Sequence, residues 1–168
     1  MTYGAIPLVN AAYRSPQDLE ALDRRADVFL LNTVANRASR IQGRTALATI
    51  ARIWPSASLA ELSRRVATTC AHVAPVTGAA FRAIGLPLDT IQKVVLFSTA
   101  RAAASAAVRL GIAGSYEAQR LQSDCAPWLD DLLARCGDLD ERDLAQTSPV
   151  IDILQSRHGR LYSRLFQS

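Results

Sequence analysis

Residues 86–111 read LPLDTIQKVVLFSTARAAASAAVRLG, and this stretch decides the fold class. Pro87 suits the start of a helix and Gly111 its end. Between them runs none of the strict apolar–polar alternation that a half-buried strand requires. The alanines and the serine of 102–107 leave room for a neighbouring helix to approach closely. Residues 94–108 are the most apolar of the chain, but Arg101 interrupts them and Arg109 follows. The segment therefore reads as a long buried helix rather than a membrane span.

Working outward, the same signals recur. Downstream, Gly111 and Gly114 separate this helix from another that Ser115 caps. That one carries Tyr116, Leu121, Trp128, Leu132 and Leu133, and bends or breaks near Pro127. Gly137 closes it ahead of the acidic DLDERD (138–143), and Ser148-Pro149 opens VIDILQSRH (150–158). Upstream, GAAFRAIG (78–85) predicts a short helix between Pro75 and Pro87, with Gly85 as its C-terminal cap. SLAE (58–61) is a capping box, Ser58 with Glu61, for the helix before it. ANRASRIQGRTALATIARIW (35–54) gathers Ile41, Leu47, Ile50, Ile53 and Trp54 towards one side, and Pro55 stops it. Ser15-Pro16 caps a helix whose Leu19, Leu22, Ala26, Phe29 and Leu30 repeat at helical spacing as far as about Asn32. With no convincing strand and no short repeat, the expected architecture is all-α, a compact bundle of about six to eight helices with short loops. Residues 1–156 form the helical domain and 157–168 a C-terminal tail.

The chain has 168 residues, 49% of them hydrophobic, enough for a core without disulfides or metal. Its net charge is +4, and Lys93 is the only lysine among 19 basic residues. Arg14, Arg37, Arg64, Arg101, Arg120 and Arg142 are scattered among acids rather than gathered in a stripe, which disfavours nucleic-acid binding. Cys70, Cys125 and Cys136 are odd in number and irregularly spaced, so a secreted disulfide scaffold is disfavoured and a reducing cytoplasm is the expected home. MTYGAIPLVNAAYRSP (1–16) has neither the basic region nor the long apolar run of a signal peptide or membrane span.

Catalytic chemistry is sparse. No glycine-rich loop ends in Lys-Ser or Lys-Thr, and no strand-to-helix nucleophile elbow is visible. His72 and His158 are the only histidines. Cys70 and His72 supply two soft donors, but further ligands must come from elsewhere, so the favoured reading is a half-buried thiol beside a helix-terminal histidine. Asp130, Asp131, Asp138 and Asp140 read as solvated faces and turns rather than acid–base pairs. The expectation is a non-enzymatic chain with no cofactor and no metal site of its own.

The tail RHGRLYSRLFQS (157–168) is unusual for a chain end. If helical, it sets Arg157, Arg160 and Arg164 on one face and offers Leu161, Leu165 and Phe166 as an apolar anchor. Such a segment either complements a helix dipole or folds onto a partner. Composition alone leaves the two readings near balance.

The last block, SPVIDILQSRHGRLYSRLFQS (148–168), resembles the UreF family of urease accessory proteins. The resemblance rests on Pro149, the Arg157-His158 pair and the closing Tyr162, Ser163, Arg164, Leu165, Phe166 and Ser168. NRASRIQGRTAL (36–47) and residues 72–121 are similar to the same family in the same order, so the likeness covers almost the whole chain. The family's usual N-terminal Pro-x-Gly and Ser-x-Gly-Leu-Glu segment is missing. Apolar helix surface is therefore expected to stand exposed. The resemblance implies a cytoplasmic chaperone for nickel insertion that binds UreD (also called UreH), forms a homodimer in the complex, and recruits the GTPase UreG to load apo-urease. It further implies that Arg157, His158, Tyr162, Ser163, Arg164, Leu165 and Phe166 contact the partner, while GTP and nickel belong to UreG. The chain alone is then expected to hydrolyse no GTP and to bind nickel weakly. The alternative is another helical adaptor or regulator that docks a different partner through the same tail. A small helical enzyme with an unrecognised site stands behind both.

Overall fold

The computed structural model describes residues 3–146 together with Val150, Ile153 and Leu154. Among these residues there are eight α-helices and no strand: α1 (Ala5–Arg14), α2 (Leu19–Phe29), α3 (Thr33–Ile53), α4 (Ala57–Val66), α5 (Val73–Ala83), α6 (Leu88–Arg109), α7 (Ser115–Asp124) and α8 (Ala126–Cys136). The all-α expectation holds. None of these helices is long and apolar enough to cross a membrane. The helix expected from Ser148-Pro149 and the tail 157–168 lie outside the described residues.

The centre of the bundle is a helix that the sequence patterns did not announce. In α1, Ile6, Val9, Asn10 and Ala12 are fully buried, and the helix packs on α5, α2 and α6. It is buried almost all round, so it has no polar face to mark its period. Pro7 falls in its first turn, where the missing N–H is one of the unpaired donors in any case. Pro75 takes the same place in α5, which begins at Val73, earlier than the sequence signals suggest.

Two glycines let backbones touch. A Cβ on Gly78 of α5 would stand 2.3 Å from the carbonyl oxygen of Val9 in α1. One on Gly43 of α3 would stand 2.0 Å from the carbonyl oxygen of Ala71. Around these approaches Leu19, Leu22, Leu47, Ile50, Leu59, Leu62 and Val76 close the main core. A smaller cluster of Ile6, Leu96 and Cys136, with Leu129, Leu132 and Leu133 against it, fastens α6 and α8 to α1.

A buried amide pair makes the second fastening. Gln92 Nε2 donates to Asn10 Oδ1 and to the carbonyl of Gly137, both at 2.7 Å. Asn10 Nδ2 donates to the carbonyls of Gly137 (3.0 Å) and Leu139 (2.8 Å). The carbonyls beyond α8, which have no intrahelical partner, are thus satisfied from α1 and α6.

Several local expectations are corrected. Residues 16–18 form a 3₁₀ turn, and α2 starts at Leu19 and stops at Phe29. Asn32, expected near the end of α2, instead caps α3 by accepting from the N–H groups of Val34 and Ala35. Ser56 rather than Ser58 caps α4, its Oγ accepting from Leu59 N at 3.2 Å. The buried stripe of α3 is Ser39, Gly43, Leu47 and Ile50, whereas Ile41, Ile53 and Trp54 are exposed. The long helix spans 88–109 as read, with Gly111 at φ +69° after it, but buries only Ile91, Gln92 and Leu96. The break at Pro127, the stop at Gly137 and the left-handed Gly85 (φ +81°) follow the sequence reading.

Because the α1–α5 contact depends on a missing side chain, Gly78→Ala should destabilise the fold by roughly 1–3 kcal/mol, overriding the helix preference for alanine. Urea denaturation read by circular dichroism measures this, and unchanged stability would refute the close approach.

Candidate functional site

The richest polar cluster gathers where α2, α3 and the loop before α5 meet. Asp23 sits on the apolar stripe of α2 beside Leu19, Leu22 and Ala26, and is 2% exposed. Its carboxylate accepts from three successive backbone N–H groups: Cys70 (2.7 Å), Ala71 (3.1 Å) and His72 (2.7 Å). Ala71 adopts φ +63°, an unfavourable conformation for a residue with a Cβ, and these bonds hold it there. The negative carboxylate also faces the N-terminus of α5, where the helix dipole favours it.

One turn further along α2, Asp27 lies on the same face. Its Oδ1 accepts from Asn36 Nδ2 at 2.9 Å, from the guanidinium of Arg40, and from His72 Nε2 at 3.1 Å. Asn36, Arg40 and His72, in that order of weight, hold the Asp27 carboxyl far below the usual carboxylate range. The same ion pair holds the Arg40 guanidinium above its usual range. Arg40 Nε is nevertheless buried without a partner among the described residues.

His72 is buried. With Nε2–H donating to Asp27, Nδ1 is left to accept from the Ser39 hydroxyl at 3.1 Å in the neutral ring, and Ser39 Oγ in turn accepts from Val73 N at 3.3 Å. Cys70 is a half-buried free thiol. Burial first, and the charge of Asp27 second, push its pKa up. One donor atom each from Asp27, Cys70 and His72 lies within 4.8 Å of the others. Cys70 and His72, which lacked further donors in the sequence, thus acquire a third from α2.

Outside the cluster an open groove of about 760 Å³ runs along α3, lined by Asp27, Asn36, Arg37, Arg40, Ile41 and Arg44 among others. Arg37, Arg40 and Arg44 share a side of α3 by their spacing. The groove therefore presents positive charge with the Asp27 carboxylate at its edge.

Two of the sequence stretches singled out above meet at this junction: 36–47 supplies Asn36, Ser39, Arg40 and Gly43, and 72–121 opens with His72. The proposed partner-contact residues Arg157, His158, Tyr162, Ser163, Arg164, Leu165 and Phe166 lie outside the described residues. Asp23 and Asp27 were missed. A usable signal was present: an acid at position 23 interrupts an apolar helical stripe, and a buried acid demands donors. Asp130, Asp131 and Asp138 are exposed, as read.

Comparison with known proteins matches residues 1–126 to the UreF family. Urease accessory protein F of Arabidopsis thaliana is 32% identical over 170 residues, covering 97% of this chain and 70% of that protein. Urease accessory protein F of Oryza sativa subsp. japonica is 31% identical, covering 96% of this chain and 64% of that protein. Urease accessory protein UreF of Roseobacter denitrificans is 29% identical, with 96% and 68% covered. The chain spans about two thirds of the length of these relatives.

A carboxyl whose pKa is lowered on folding adds stability above its unfolded pKa and loses it as pH falls through the folded value. For Asp27 that loss begins below about pH 4. The melting temperature of the wild type should therefore drop steeply in acid, and Asp27→Asn should start lower at neutral pH and drop less. Parallel curves in a thermal-melt pH series would show that the Asp27 cluster contributes nothing.

Proposed function

Because this chain belongs to the UreF family, we propose that it is a urease accessory protein, acting as a non-catalytic adaptor in urease maturation. In this reading it binds UreD (UreH), forms a homodimer in that complex, and recruits the GTPase UreG, which brings nickel to apo-urease. The observation that carries the reading is the match over residues 1–126, together with relatives named urease accessory protein along nearly the whole chain.

The surface supports an adaptor. Beyond Leu96 no residue of α6 is buried, and this end of α6, its connection to α7, and α7 and α8 carry Phe97, Leu110, Ile112, Tyr116, Leu121 and Trp128 at about half exposure or more. Apolar area of this kind on an outer helical layer is what a protein partner covers. Tyr116 and Trp128, 93% and 73% exposed, are of the types that dominate binding energy once desolvated.

The tail 157–168 is assigned to the UreD contact. Its arginines supply directed, charge-assisted hydrogen bonds, and Leu165 and Phe166 supply area. Deleting 157–168 should abolish co-purification with UreD while leaving helical content and melting temperature of the free chain nearly unchanged. Arg164→Ala and Phe166→Ala should each weaken the complex more than Arg160→Ala. A truncated chain that still pulls down UreD would overturn this assignment. A large loss of melting temperature instead would make the tail a structural cap.

A further inference from the structure

Three donors of different chemistry converge from distant parts of the chain: a carboxylate oxygen of Asp27 in α2, and the Cys70 sulfur and His72 imidazole from the loop before α5. All lie within 4.8 Å of one another. We propose that Asp27, Cys70 and His72 form a binding site for a borderline divalent cation such as cobalt, nickel or zinc. This goes beyond the adaptor role and does not depend on it, because it concerns the free chain alone.

Donor chemistry selects the class of ion. A thiolate beside an imidazole favours borderline metals over magnesium or calcium, which take oxygen ligands. One thiolate and one carboxylate neutralise a divalent ion, which leaves the Arg40 guanidinium beside Asp27 as the excess positive charge of the filled site. Distances require modest adjustment. Donors around a four-coordinate zinc stand roughly 3.3–3.8 Å apart, given bonds of about 2.0–2.3 Å. The proposal requires rotation of half-buried Cys70 and of Asp27, whose side chain is 34% exposed, to bring the cluster into that range. The groove along α3 opens onto Asp27, the member of the three that lines it.

His72 is already oriented for the task. On binding, the Cys70 thiol gives its proton to solvent, and the imidazole proton moves from Nε2 to Nδ1. Nδ1–H then donates to Ser39 Oγ, which stands 3.1 Å away. A histidine ligand whose second nitrogen is held by an oxygen is the usual outer support of a metal site. The fourth position is left to water or to a donor from a partner.

Arg40 gives the proposal its sharpest test. In the structure its guanidinium holds Asp27, yet its Nε is buried without a partner among the described residues. A cation must displace or outcompete this surplus positive charge. Arg40→Gln should therefore tighten binding while the stoichiometry stays at one equivalent and the thiolate band is kept.

The experiment titrates the full-length chain with cobalt, nickel and zinc separately, by calorimetry and by the near-ultraviolet thiolate-to-metal charge-transfer band of cobalt and nickel. Expected are one equivalent per chain and loss of the band in Cys70→Ser, whose metal-free melting temperature matches the wild type. Ser39→Ala should weaken affinity about 10- to 100-fold, and Arg40→Gln should strengthen it. His158→Ala and Cys125→Ser should bind as the wild type does. The proposal is overturned if the wild type does not bind, if Cys70→Ser keeps the band, if Arg40→Gln fails to bind more tightly, or if His158→Ala or Cys125→Ser removes the site.

Discussion

The carboxylate of Asp23, receiving the backbone N–H groups of Cys70, Ala71 and His72 at 2.7–3.1 Å, is the interaction on which the rest of the structure depends. It satisfies three donors at the entrance to α5, holds Ala71 in a left-handed conformation, and fixes α2 against the loop. Only with the loop in that path does the Ala71 carbonyl lie over Gly43, bringing α3 close enough for Ser39 to reach His72. α5 then lies against Gly78's partner, the Val9 carbonyl of α1. Removing this buried acid would leave the Cys70 and His72 amides without an acceptor in an apolar setting, and the Ala71 amide with only Thr69 Oγ1 at 3.2 Å.

A division of labour follows. The α1–α5 body is built on two glycine-enabled backbone approaches and the Asp23 junction. The outer layer of α6–α8 is fastened through fewer points, the Asn10–Gln92 amide pair and the Ile6–Leu96–Cys136 cluster. The body carries the polar chemistry, with Asp27, His72, Ser39 and Arg40 linked in one network. The outer layer carries exposed aromatic and aliphatic side chains. The proposed adaptor role draws on both: the packed frame of the body and the exposed apolar surface of the outer layer.

The helical class was legible because long helices announce themselves. The span of α6, the break at Pro127 and the stop at Gly137 need only local chemistry. What was illegible was whatever a second element determines. α1 has no polar face because α2, α5 and α6 surround it, so no amphipathic period exists to be read. In α3 the stripe that buries begins with Ser39 and Gly43, which no hydrophobicity rule selects, while the more apolar Ile41 and Ile53 face outward. Ser56 caps α4 rather than Ser58 because Ser56 has the extended backbone of a cap while Ser58 already lies within the helix. Cys70 and His72 were visible as a pair of donors, but Asp27 is 45 residues from His72. Only packing joins them.

The most direct test of this account is native-state hydrogen exchange on the wild type and Asp23→Asn, which keeps the side-chain volume and removes charge and acceptor capacity. The account predicts a loss of about 1–3 kcal/mol in stability, with lost protection concentrated at the amides of residues 70–72 and in the first turns of α5, and α7 little changed. Equal stability and unchanged protection at residues 70–72 would contradict it, and would place the organising constraint of the fold elsewhere.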